Sequence, residues 1–203
     1  TNESDQLHVF DLQISGGAGW EPRVSPSSLT LAAGASGTST LSVTVPSGVS
    51  GGSSVGIAVT ATSRADPTLS ASASCIARIA VVPGVMVSIS PSEDSGSPGT
   101  TLKYTVTVAN TGNVVDTYDL TVTDNAGWNL ELSSSTLTIS MGGSEEIALN
   151  VTVPGNAELG TADDITITAT SQVDPTVSDS ASCRAIAAAP SVLPLTVPLI
   201  GIA

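Results

Sequence analysis

One histidine and two cysteines are all that this 203-residue chain offers for imidazole or thiol chemistry. A Ser-His or Cys-His arrangement needs a base held in place by a third group, and His8 has no second imidazole to share that work. Its counterpart in a repeat described below is Asp116, so the sequence predicts His8 as an isolated side chain on an exposed strand face. H-E-x-x-H does not occur, the G-x-S-x-G matches GVSGG (48–52) and GSSVG (52–56) lack the helix that a nucleophile elbow needs after them, and the glycine runs SGGAG (15–19) and MGGS (141–144) read as turns, since no helical pattern follows them. The expectation is a protein without a catalytic site, cofactor or small-molecule substrate.

Oxygen chemistry is richer. Asp116, Asp119, Asp124, Asn113, Asn125, Asp163 and Asp164 could offer hard oxygen ligands to calcium from adjoining turns. The first copy of the repeat keeps only Asp11, at the place of Asp119, and the spacing fits no EF-hand. Solvated acid with no bound metal is the expected state, with a calcium site in the second copy as the alternative. Asn2 in NES and Asn150 in NVT match glycosylation sequons no more often than chance would give; if glycosylated they mark the exterior, and Asn150 alternates with Leu149 and Val151. Cys75 and Cys183 occupy equivalent places, too far apart in an elongated tandem to bridge within one chain. Cys75 shares strand parity with Ala77, Ile79 and Val81, which predicts a buried thiol; pairing between subunits is the alternative.

The formal charge is −13, with 5 Lys and Arg against 18 Asp and Glu, which repels nucleic acid and anionic membranes. Aromatics are 2% and charged residues 11%, in a background of Ser, Thr, Gly, Val and Ala suited to short strands. No basic segment leads into an apolar run at the start, so a secreted form would begin at Thr1 after processing.

The elements that position these residues come in two copies. Trp20 and Trp128, Pro46 and Pro154, and Cys75 and Cys183 are each 108 residues apart, a period suited to a small β-sandwich. Phe10 matches Tyr118 in the same register, so Trp20, Trp128, Phe10 and Tyr118 are expected at paired core or corner positions rather than on a sugar-binding platform. Alternating runs at 7–15, 40–46, 55–63, 84–90 and 101–109 predict strands between Gly, Pro, Asn and Ser turns. In the last of these, Leu102, Tyr104, Val106 and Val108 share the inward face.

The copies are unequal. GVMVSIS (84–90) and TLKYTVTVA (101–109) open the second copy, and the first copy begins without either. A sandwich short of its first strands exposes unpaired backbone groups beside an apolar groove. PSVLPLTVPLIGIA (190–203) is the candidate filler: shifted by 107 it aligns with the start of the second copy, and Leu193, Leu195, Val197 and Leu199 lie on one face. Pro194 and Pro198 take the other parity, which suits an edge strand. Val192, Ile200 and Ile202 complete the apolar set assigned to this donor strand. Three prolines and a glycine make residues 185–203 a poor membrane-spanning helix, so no membrane span is expected.

Residues 126–171, AGWNLELSSSTLTISMGGSEEIALNVTVPGNAELGTADDITITATS, resemble the NEW3 type of immunoglobulin-like module, with its GW, V-x-V-x-VP and closing T-x-TATS. Residues 84–120 are similar to the first half of the same class. The resemblance implies β-sandwiches in an extracellular setting and brings no catalytic residues with it.

The sequence therefore predicts an all-β chain of two tandem immunoglobulin-like β-sandwich domains. An incomplete one spans 1–82 and lacks its N-terminal strands; a complete one spans 83–189; an apolar C-terminal strand covers 190–203. The expected function is a structural subunit of an extracellular filament or surface assembly. Each subunit's last strand would insert into the incomplete domain of the next, making a head-to-tail homopolymer. A spacer or stalk within a larger adhesin or secreted enzyme is the alternative.

Overall fold

The structure is a computed structural model that describes residues 1–190. Its described residues form fifteen strands and no helix. They divide into one unit over Thr1–Val82 and a second from Pro83 onward.

The second unit is a two-layer sandwich. Its strands are β7 (Val85–Ser90), β8 (Glu93–Gly96), β9 (Thr101–Asn110), β10 (Asp116–Asp124), β11 (Asn129–Leu132), β12 (Thr136–Ile139), β13 (Ser144–Thr152), β14 (Ala162–Ser171) and β15 (Ser178–Ala187). One sheet runs β12-β10-β14-β15-β8 and the other β11-β13-β9-β7. Period-two alternation turns one side of each strand inward. On β9, Leu102, Tyr104, Val106 and Val108 are buried, and from β13 Leu149 and Val151 meet them. Burial of this kind stabilises by roughly 1.5–3 kcal/mol for each large apolar side chain. Two buried phenols are anchored: Tyr104 donates to the Arg184 carbonyl at 2.8 Å and Tyr118 to the Gly84 carbonyl at 2.8 Å. Burial raises both phenol pKa values, that of Tyr118 to about 12.

The first unit repeats six of these strands, displaced by 108 residues. They are β1 (His8–Gly16), β2 (Glu21–Ser25), β3 (Ser28–Leu31), β4 (Thr40–Thr44), β5 (Ser54–Ser63) and β6 (Ser70–Arg78). The sheet β3-β1-β5-β6 is nearly whole, but the facing sheet consists of β2 and β4 alone. Strands corresponding to β7, β8 and β9 are absent among the described residues; the unequal copies predict the loss of β7 and β9, and β8, the edge partner of β15, is lost with them. β4 is correspondingly short, five residues against nine in β13, because half of its ladder has no partner. Among the described residues, the first unit buries three apolar side chains, Trp20, Leu31 and Ile57, against nineteen in the second. Its core is open on one side.

Candidate functional site

The chemistry-bearing residues are first of all parts of a duplicated scaffold. His8 is buried, not exposed: its Nδ1 lies 2.7 Å from the Ser63 hydroxyl. At the equivalent place in the second unit, Ser171 donates to the Asp116 carboxylate. A hydroxyl ties the start of one strand to the end of its neighbour in both copies, and this pairing removes His8 from the role of solvent-facing base. Arg64 forks onto Asp11 at 2.7–3.0 Å, and Gln172 makes the same link to Asp119 at 2.8 Å. The Arg64 hydrogen bonds hold the Asp11 carboxyl below the usual carboxylate range.

Asn2 is not placed as a glycosylated residue would be. Rather than marking the exterior, its amide is buried and donates to the carbonyls of Gln6, Leu31 and Ala32 at 2.7–3.1 Å. Asn110 plugs the same corner of the second unit, donating to Val114 and Ile139. Asn150 is half-buried between the buried Leu149 and Val151. The sequon pattern could not reveal the plug, whereas the 108-residue match of Asn2 with Asn110 could have.

The acidic residues split between the two ends of β10. Asp116 and Asp119 sit at its start, and Asp124 at its end beside Asn125, Asp163 and Asp164. Asp163 is fully buried; its Oδ1 accepts from the backbone N–H groups of Asn125 and Ala126 at 3.3 and 3.1 Å, while Oδ2 has no donor. Burial, with the Asp124 carboxylate alongside, raises its pKa. Asp164 points the opposite way along the strand and is exposed. Among the described residues no three His, Cys, Asp or Glu side chains converge on a metal-sized point.

What remains is the open face of the first unit. A groove of about 780 Å³ is lined by Phe10, Leu12, Leu29, Leu41, Val59 and Ala61 together with Gly37 and Ser39. Its floor is chemically a core face. Positions 108 residues on are Tyr118, Leu120, Leu149, Ile167 and Ala169, all buried, whereas Phe10, Leu12, Leu41, Val59 and Ala61 are only half-buried. Val45 shows the contrast most plainly, 42% exposed against 0% for Val153. The repeat-paired Trp20 and Trp128 are both buried, at 8%.

Cys75 reverses the expectation of a buried thiol: it is exposed, while Cys183 is buried. Strand parity places both on the sandwich's inner face, but only the second unit has β7 and β9 to cover that face. Burial pushes the Cys183 thiol up to about 11. In dilute native protein an alkylating reagent at pH 8 is expected to label one thiol per chain, and peptide mapping should place it at Cys75. Labelling of Cys183 without denaturant would contradict the closed second core.

The donor-strand residues Val192, Leu193, Leu195, Val197, Leu199, Ile200 and Ile202 lie outside the described residues. Among the described residues, no helix is long and apolar enough to cross a membrane.

Two facing sheets with these connections define an immunoglobulin-like β-sandwich protein. Residues 85–187 match the family model of the VWA7 Ig-like domain, and the chain belongs to that family. No curated protein matches the chain. Among solved structures it is similar to domains 4 and 5 of the S-layer protein SbsC, at 17% identity over 85% of this chain and 72% of that one, with a TM-score of 0.39. It is also similar to WR4, a C. elegans MSP family member, at 16% identity over 51% of this chain and 98% of that one, with a TM-score of 0.35. A Porphyromonas gingivalis protein of unknown function shows 17% identity over 92% and 87% of the two chains, with a TM-score of 0.34.

Proposed function

We propose that this chain is a structural subunit of an extracellular surface assembly, in which residues 190–203 of one copy complete the first unit of the next. The observation that carries this reading is a core-type face left open in the first unit. The same chain supplies an uncharged segment whose leucines and valine alternate with the period of a strand. Such a contact uses two different surfaces and does not close on itself, so it propagates head to tail. An extracellular setting is supported by the resemblance of residues 126–171 to NEW3-type modules.

The test compares the full chain with one lacking residues 190–203, by light scattering and electron microscopy. The full chain is expected to form concentration-dependent multimers or fibres and the shortened chain single copies. Identical behaviour of the two removes the mechanism and favours the spacer reading, which the unbroken 108-residue period also suits.

A further inference from the structure

We propose that the incoming segment takes the place of β9, antiparallel to β4, with Leu193, Leu195, Val197 and Leu199 inward and its prolines turned away from β4. This polarity rests on the assembly reading above and adds what the groove and the second unit dictate.

By position in the repeat, residues 190–203 match β7, not β9. In its sheet, however, β7 pairs with β9 alone, and the first unit contains no β9. On the side where β9 lies in the second unit, the unpaired backbone edge of the small sheet belongs to β4. The first unit has also shed the side chains that tie β7 down. Tyr118 donates to Gly84, and Asp179 accepts from the Val87 N–H at 2.7 Å; their counterparts are Phe10 and Ala71, which can do neither. Features of the β9 line persist: Asn2 donates its N–H to the Ala35 carbonyl at 2.8 Å, as Asn110 does to Gly143 at 2.9 Å. Of the missing strands, β9 is the one whose place borders β4.

The second unit then sets the direction. Asn110 donates to Gly143 and Val153 to Thr100, so the inward-facing residues of β9 point their backbone groups at β13. Thr111, of the outward parity, donates to Gly84 on the β7 side. In any strand, side-chain face and backbone direction alternate together, and reversing the strand while keeping its face swaps which side those groups meet. Pro190, Pro194 and Pro198 all share the outward parity. Running like β9, the segment presents every proline to the open side, where no donor is needed. Running the other way, Pro194 and Pro198 would each remove a hydrogen bond to β4.

The register follows from that of β9 on β13, in which Leu102 faces Val151 and Tyr104 faces Leu149. Carried to the first unit, Leu193 faces Val43, Leu195 faces Leu41, Val197 faces Ser39 and Leu199 faces Gly37. Thr1, whose hydroxyl sits 2.9 Å from that of Ser36, already holds the place Ile200 would take, so pairing along this line ends at Leu199. A second copy supplies the segment, as in the assembly reading above. With prolines along its outer edge, the added strand also blocks further pairing.

The test uses the full chain with Cys75→Ser and Cys183→Ala, carrying one of two cysteine pairs at outward positions. Ser42→Cys with Pro194→Cys is expected to give a disulfide ladder of linked copies, and Ser42→Cys with Pro198→Cys none. In a separate comparison, Val197→Pro should abolish multimers while Pro198→Val keeps them. A ladder from the Pro198→Cys pair alone overturns the register, retention of multimers by Val197→Pro overturns the polarity, and either leaves the assembly reading standing. Disulfides within single copies overturn exchange between chains. Failure of both pairs to cross-link, in a chain that still needs residues 190–203 to assemble, overturns the site.

Discussion

Leu149→Ala is expected to lower the stability of the second unit by about 2–5 kcal/mol, the range for deleting a fully buried leucine side chain from a core that cannot collapse around the void. For a unit of about 100 residues that corresponds to a melting point lower by roughly 4–8 °C per kcal/mol. The counterpart change, Leu41→Ala, should cost the first unit of unassembled protein only about 1 kcal/mol, because that side chain is already partly exposed to water. Two resolved thermal transitions, each displaced by one of the substitutions, would show this asymmetry. Equal displacements would mean that the groove beside Leu41 is already filled in single copies. In assembled protein the cost of Leu41→Ala should rise towards that of Leu149→Ala, since the same leucine then sits under an added strand.

Asp163→Asn is expected to raise the melting point of the second unit at pH 7. The buried carboxyl has two N–H donors on Oδ1 and none on Oδ2, with the Asp124 carboxylate nearby. A carboxyl whose pKa is raised on folding holds its proton more tightly in the native state. Its contribution to stability is therefore complete below the unfolded value of about 3.9 and is lost as pH climbs through the raised native value. An asparagine amide keeps the accepting oxygen, places an N–H₂ towards Asp124 and does not ionise. The gain should be about 1 kcal/mol or more at neutral pH, the scale of an unsatisfied buried polar group, and should vanish in acid. Thermal melts of both proteins from pH 3 to 8 check it. A loss of stability at pH 7, reversed by calcium, would instead mean that Asp163 and Asp124 require a cation between them.

Much of the fold is written in local pattern. Leu102, Tyr104, Val106 and Val108 alternate with threonines and a lysine, and a strand has only two faces, so their common burial follows from parity. The 108-residue register pairs Trp20 with Trp128 for the same reason: equal sequence blocks find equal local solutions. Cys75, His8 and Asn2 escaped that logic. Parity puts Cys75 on the inner face, yet whether an inner face is covered depends on strands far away in sequence. His8 bonds to Ser63, 55 residues distant, and Asn2 to Leu31 and Ala32, 29 and 30 residues distant, pairings that alternation does not encode. The loss of the Tyr118 and Asp179 anchors at Phe10 and Ala71 was visible as two substitutions, but their meaning required knowing that both anchors hold β7.

By itself, then, the sequence determined the strands, their faces, the duplication and the inequality of the two copies, because these depend on residues a few positions apart or on exact repetition. Tertiary structure alone decided which edge is left unpaired and which way its backbone groups point. Hydrogen-bond direction between strands is a property of their pairing, and pairing joins segments that only the folded chain brings together.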